Sequence, residues 1–134
     1  MALNVSYVPE ASLTITLNSV TDGSGATSSA VVDNVYPAMK IQVTIPAVTS
    51  ADGTVDFYLM ESIDGGTDYS TTVTTSDMTY IGSVNVDASS STTKILNASN
   101  LPNDWKIYAV NNCGQTLSGS GNAVTYQYIT YTDV

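Results

Sequence analysis

The sequence predicts an all-β fold: an antiparallel β-sandwich, arranged as a jelly roll of about eight strands. Three observations lead there. Apolar and polar residues alternate with period two along most of the chain, no stretch sustains a 3.6-residue period, and Gly, Pro, Asp and Asn recur between the alternating runs. In chain order, Leu13, Ile15 and Leu17 alternate with Thr14, Thr16 and Asn18, ahead of the turn-rich Thr21-Asp22-Gly23-Ser24-Gly25. Met39, Ile41, Val43 and Ile45 mark one face of a second strand that stops at Pro46. Asp52-Gly53 reads as a hairpin turn, because both residues tolerate positive φ. Val55, Phe57 and Leu59 form a third strand whose other face, Asp56, Tyr58 and Met60, is only half polar; it ends at Asp64-Gly65-Gly66. Further strands are expected at 69–74, 80–86 and 92–96, with a β-bulge at Gly82-Ser83 where Ile81, Val84 and Val86 break alternation. Trp105, Ile107 and Ala109 follow a loop at 100–104, and a strand at 123–131 closes the chain.

Patterning alone leaves the connectivity open, with an immunoglobulin-like order as the competitor. A lone Cys113 cannot supply that fold's inter-sheet disulfide. A chain of 134 residues, with neither an internal repeat nor a linker-like stretch, is expected to form a single domain over 1–134, with residues 1–10 as an N-terminal arm.

Charge narrows the partners. Twelve carboxylates face three lysines (Lys40, Lys94 and Lys106), with no Arg or His, for a net charge of -9. Nucleic acid affinity rests on neutralising phosphates, so this chain is expected to bind none. Anionic lipid is disfavoured for the same reason, and no apolar run approaches the roughly 18 residues of a membrane span. The opening Met1-Ala2-Leu3-Asn4-Val5-Ser6 lacks the basic and apolar regions of a secretory signal, so synthesis in the cytoplasm is expected.

The same composition removes most chemistry. Without His, the Ser-His-Asp and Cys-His nucleophile systems cannot be built, and one cysteine cannot anchor a zinc site. Asp56, Glu61 and Asp64 are close enough in sequence to suggest a glycosidase carboxylate pair, but acids on a strand face are ordinarily solvated. Asp64-Gly65-Gly66-Thr67-Asp68 offers two carboxylates to a calcium ion; a turn needing positive φ explains the same residues. No catalytic residue, cofactor or metal ligand is assigned. A sugar-binding face is a separate reading: Tyr58 and Tyr69 would stack on a pyranose ring while Asp56 and Asp68 accept its hydroxyls.

The two ends depart from simple alternation. Val124, Tyr126 and Tyr128 share one face of the last strand and Ile129 and Tyr131 the other, so both faces carry apolar bulk. Leu3, Val5 and Tyr7 alternate ahead of Pro9 and read either as a first strand or as an arm adding to a neighbouring sheet edge. Leu3, Val5, Tyr7, Ile129 and Tyr131 are therefore the candidate partner-binding residues.

Several segments together resemble small virion proteins of tailed bacteriophages. They are Leu13-Thr14-Ile15-Thr16-Leu17, Val55-Asp56-Phe57-Tyr58-Leu59, Asp64 to Tyr69, Tyr80-Ile81-Gly82-Ser83-Val84, Leu101-Pro102-Asn103-Asp104-Trp105-Lys106-Ile107, Val110-Asn111-Asn112 with the Leu117 turn, and the closing Tyr-rich strand. The resemblance is to jelly-roll decoration, or cement, proteins of the capsid. It implies a structural subunit on the outer head surface, made in the host bacterial cytoplasm. Its partners would be the major capsid protein and itself, as a dimer or trimer clamping the shell. A tail, baseplate or fibre-associated protein is the alternative, and a carbohydrate-binding β-sandwich the second alternative.

Overall fold

The computed structural model describes residues 3–62, 69 and 78–133. Among these, nine strands lie in two antiparallel sheets: β1 Leu3–Tyr7, β2 Ala11–Ser12, β3 Gly25–Thr27, β4 Ala38–Ile45, β5 Thr54–Ser62, β6 Thr79–Asn85, β7 Thr92–Ser99, β8 Asp104–Asn112 and β9 Ala123–Asp133. The five-stranded sheet runs β1-β9-β4-β7, with β2 also paired to β9, and the four-stranded sheet runs β3-β8-β5-β6. This is the jelly-roll order, with its first strand divided into β1 and β2. The division falls at Pro9, which has no N–H to give a ladder; Val8 N still donates to Tyr128 O at 3.0 Å before the chain leaves β9. Among the described residues no helix is long and apolar enough to cross a membrane.

The facing sides of the sheets make the core. Met39, Ile41, Val43 and Ile45 from β4 meet Val55, Phe57 and Leu59 from β5 and Trp105, Ile107 and Ala109 from β8. At one end the core is aromatic. Tyr36 stacks on Tyr128 at 4.3 Å, and Trp105 lies edge-on to Tyr126 at 6.1 Å. Burial, reinforced by the neighbouring phenols of Tyr126 and Tyr36, pushes the Tyr128 hydroxyl up to about 12. Val124, Tyr126 and Tyr128 are thus core residues, and the doubly apolar last strand is covered on its inner side.

Three local expectations change. Leu13 and Leu17 are buried as their alternation suggests, yet 13–17 is no strand: after Leu13 N bonds Val124 O, the chain turns (Ile15 N to Leu13 O, 3.0 Å) and crosses to the other sheet. Alternation there records one side facing the core. Asp52-Gly53 is no hairpin, because β4 and β5 belong to different sheets. Glycine is needed at 53 because a Cβ would lie 2.2 Å from the Asn112 carbonyl oxygen. The bulge expected at Gly82-Ser83 occurs one residue earlier: Gly82 pairs with Phe57 and Tyr80 with Tyr58, leaving Ile81 unpaired. The strand expected at 69–74 lies outside the described residues, apart from Tyr69.

Candidate functional site

Side chains at outward positions on β8, β5 and β6 form a continuous face. Antiparallel register sets Tyr58 opposite both Tyr80 and Tyr108, Asp56 opposite Ser83, and Thr54 opposite Asn112. The bulge at Ile81 is what puts Tyr80 and Ser83, three residues apart, on the same side of the sheet; strict alternation would separate them. Tyr108 is buried although it faces outward, because its ring occupies the space that a Cβ on Gly25 of β3 would need. Tyr80 is 56% exposed and meets the half-buried Tyr58 edge-on at 5.5 Å.

Beside these rings, Asp56 gathers donors. Thr54 Oγ1 donates to Asp56 Oδ1 at 2.7 Å, Ser83 Oγ to the same oxygen at 2.5 Å, and Asn112 Nδ2 to Oδ2 at 2.7 Å. The Tyr80 hydroxyl lies 2.6 Å from Ser83 Oγ. Desolvation by partial burial raises the Asp56 pKa, yet the bonds from Ser83, Asn112 and Thr54 outweigh it and hold the carboxyl below its ordinary value of 3.8. Two lysines border the face: Lys94 Nζ donates to the Ser83 carbonyl at 2.9 Å, and Lys106 Nζ sits 4.3 Å from the centre of the half-buried Tyr69 ring.

The outer face of the five-stranded sheet differs. Register pairs Val5 with Tyr131 and Tyr7 with Ile129, so four of the five candidate partner-binding residues form one patch; Leu3 is opposite Asp133. Val5, Tyr7 and Tyr131 are each about half exposed. β1 pairs within its own chain. Next to the patch, Lys40 Nζ lies 4.9 Å from the Tyr7 ring centre, and a shallow depression opens between Glu10, Lys40, Gln42, Ile95, Thr125, Tyr126 and Gln127. Among the described residues, no hydrogen bond holds the side chains of Glu10, Gln42, Thr125 or Gln127.

Asp56 and Tyr58, proposed from sequence for a sugar face, share one side of β5, whereas the contact shown for Tyr69 is with Lys106, which is opposite Met60. Asp68 lies outside the described residues, as does the 64–68 stretch suggested for calcium. Among the described residues, no three His, Cys, Asp or Glu side chains are grouped to hold a metal. Of the carboxylates suggested for hydrolysis, Asp56 is occupied by its three donors, Glu61 is exposed, and Asp64 is not described. Sequence reasoning missed Thr54, Tyr80, Ser83 and Asn112 as members of this face. The broken alternation around 81–84 was the signal for two of them.

No family model matches the chain, and no curated protein matches it. Among solved structures, the chain is similar to the C-terminal family 6 carbohydrate-binding module of LamC, a marine laminarinase from Zobellia galactanivorans, with 12% identity, coverage of 98% of this chain and 100% of that one, and a TM-score of 0.37. A family 6 module from Clostridium cellulolyticum, solved with xylose, gives 16% identity, 96% and 92% coverage, and a TM-score of 0.33. The module CsCBM6-3 from Clostridium stercorarium, solved with cellobiose, gives 14% identity, 99% and 94% coverage, and a TM-score of 0.32. These are carbohydrate-binding modules and not virion proteins, which corrects the expectation of a capsid decoration subunit. The major capsid protein as partner, the shell-bound dimer or trimer and the tail-protein alternative are withdrawn with it.

Proposed function

We propose that the chain is a non-catalytic carbohydrate-binding β-sandwich whose ligand lies across the outer face of β8, β5 and β6. One observation carries this reading: the exposed Tyr80 ring stands edge-on to Tyr58, beside a hydrogen-bonded cluster of carboxylate, hydroxyl and amide groups. A pyranose has a C–H face and a rim of hydroxyls. The rings offer apolar contact to the first, and Asp56, Ser83 and Asn112 offer polar contact to the second. A sheet face gives an open platform, which suits an extended glycan better than an enclosed small molecule. Chemistry has no support on this face, where the carboxylate of Asp56 already accepts three bonds.

Titration calorimetry with cello-, xylo- and laminari-oligosaccharides tests the proposal. Tyr80→Ala is expected to weaken binding about tenfold or more, roughly 1.4 kcal/mol, while Gln127→Ala on the opposite face leaves it within about twofold. Equal affinity for Tyr80→Ala and the wild type would move the site elsewhere.

A further inference from the structure

We infer that this face selects an uncharged, hydroxyl-rich glycan that acts as the hydrogen-bond donor, and rejects glycans bearing carboxylate or sulfate; the inference rests on the carbohydrate-binding reading above. It follows from where the protons lie. A carboxylate has no proton to give, so the bonds at Asp56 fix their own direction: Thr54 Oγ1 and Ser83 Oγ must donate to Oδ1, and Asn112 Nδ2 to Oδ2. Ser83 has spent its only proton, so the 2.6 Å contact with Tyr80 requires the phenol to donate to Ser83 Oγ.

The hydroxyl protons of Thr54, Ser83 and Tyr80 are therefore all turned inward. What they turn toward solvent is lone pairs. Oδ1 of Asp56 is filled by two donors, whereas Oδ2 keeps a vacant acceptor position. The oxygens of Tyr80, Thr54 and Ser83 and the Asn112 carbonyl also remain able to accept. Among the described residues of this cluster, the free donors are one Asn112 N–H and the Tyr58 hydroxyl. The bordering lysines keep further N–H protons, but Lys94 is drawn to the Ser83 carbonyl and Lys106 to the Tyr69 ring, at the edges of the cluster, and the chain as a whole carries a net charge of -9. A ligand carboxylate or sulfate, itself all acceptor, would meet lone pairs and the charge of Asp56. Sugar hydroxyls supply the protons that this surface lacks.

O-methylation separates donors from acceptors, because it removes a sugar's O–H protons and keeps its oxygens. Calorimetry would compare cello-, xylo- and laminarihexaose with their O-methylated forms and with oligogalacturonate of equal length. The expected result is binding of at least one neutral hexamer, a loss of tenfold or more on methylation, and a similar or larger loss for the uronate. Tyr80→Phe, which keeps the ring and removes the acceptor, should weaken the neutral ligand several-fold and leave the residual binding of the methylated one unchanged. If the methylated sugar binds as well as its parent, or the uronate binds as tightly as the neutral chain, the donor-selective face is overturned while carbohydrate binding stands. If no glycan binds, both fall.

Discussion

On the outer face of the four-stranded sheet, the hydroxyls of Thr54, Ser83 and Tyr80 are all directed by Asp56; on the other outer face, Gln42, Thr125 and Gln127 have no hydrogen-bond partner among the described residues. Both faces hold an exposed tyrosine, a carboxylate and amides. What separates them is the stage at which order is paid for. A ligand immobilising a free, rotamer-rich side chain such as Gln or Lys loses about 0.5–1.5 kcal/mol for each one. Around Asp56 that ordering has been completed by folding, so contact there yields more net affinity. Lys40, the cation of the second face, lies against the Tyr7 ring, which leaves that ring partly covered. A face with similar ingredients is thus a weaker platform because Gln42, Thr125 and Gln127 around its depression are not held, the Thr44–Thr93 hydroxyl pair lying away from them at the end of β4.

The sharpest way to break this comparison is to disturb the backbone that carries one donor of Asp56. In Gly53→Ala the new Cβ would fall 2.2 Å from the Asn112 carbonyl oxygen and 3.0 Å from Cys113 Cα, so main chain must move. We expect a loss of about 2 kcal/mol or more in urea unfolding, with reduced glycan binding. Thr125→Ala, on the unwired face, should stay within about 0.5 kcal/mol. A Gly53→Ala variant as stable as the wild type would show that the Asn112 backbone yields freely.

A smaller effect comes from the hub itself. The Asp56 carboxyl titrates below its ordinary 3.8 in the folded chain, so its stabilising contribution is complete above that value. It is lost as pH falls below 3.8 and through the lowered folded value. Because the group is only partly buried, solvent screening keeps the total near 1 kcal/mol. Asp56→Asn should therefore be less stable than the wild type at neutral pH, and the two stability curves should converge on acidification below 3.8. Parallel curves down to pH 2 would mean that the three bonds contribute nothing to stability.

Residues with covered neighbours on both sides were legible in the sequence. Met39, Ile41, Val43 and Ile45 alternate cleanly because β4 sits between β9 and β7 with its inner side fully in the core. Ile15 and Leu17 alternate too, but on a crossing segment, where one-sided burial imitates a strand. The jelly-roll class followed from periodicity, but the order of strands did not, since nothing local says that β8 lies between β3 and β5. A third of the candidate site was legible for the same reason: of its six residues, Asp56 and Tyr58 are two apart on one strand. Asn112 is 56 residues from Asp56 and arrives only through the β5–β8 register. Tyr80 and Ser83 were hidden by a bulge whose presence was readable but whose effect on facing depends on its exact residue.

The smallest expected effect tests whether the second face is held by anything beyond its backbone. Lys40 Nζ over Tyr7 is a solvent-exposed cation–π contact, which is worth about 0.5 kcal/mol. The other contacts near it are also modest: Ser6 and Thr130 share a hydrogen bond across β1 and β9, and the Val5–Tyr131 pair is half exposed. Tyr7→Leu keeps apolar bulk beside Ile129 but removes the π face, so it should lower stability by about 0.5 kcal/mol. Lys40→Met in that background should then cost nothing further from the contact. A double-mutant cycle measures this coupling directly. Coupling near zero would mean that Lys40 is as free as Gln42 and Gln127, making the contrast between the faces complete. Coupling well above 1 kcal/mol would mean that the second face carries an ordered element of its own, and would narrow the difference in preorganisation on which the choice of ligand face depends.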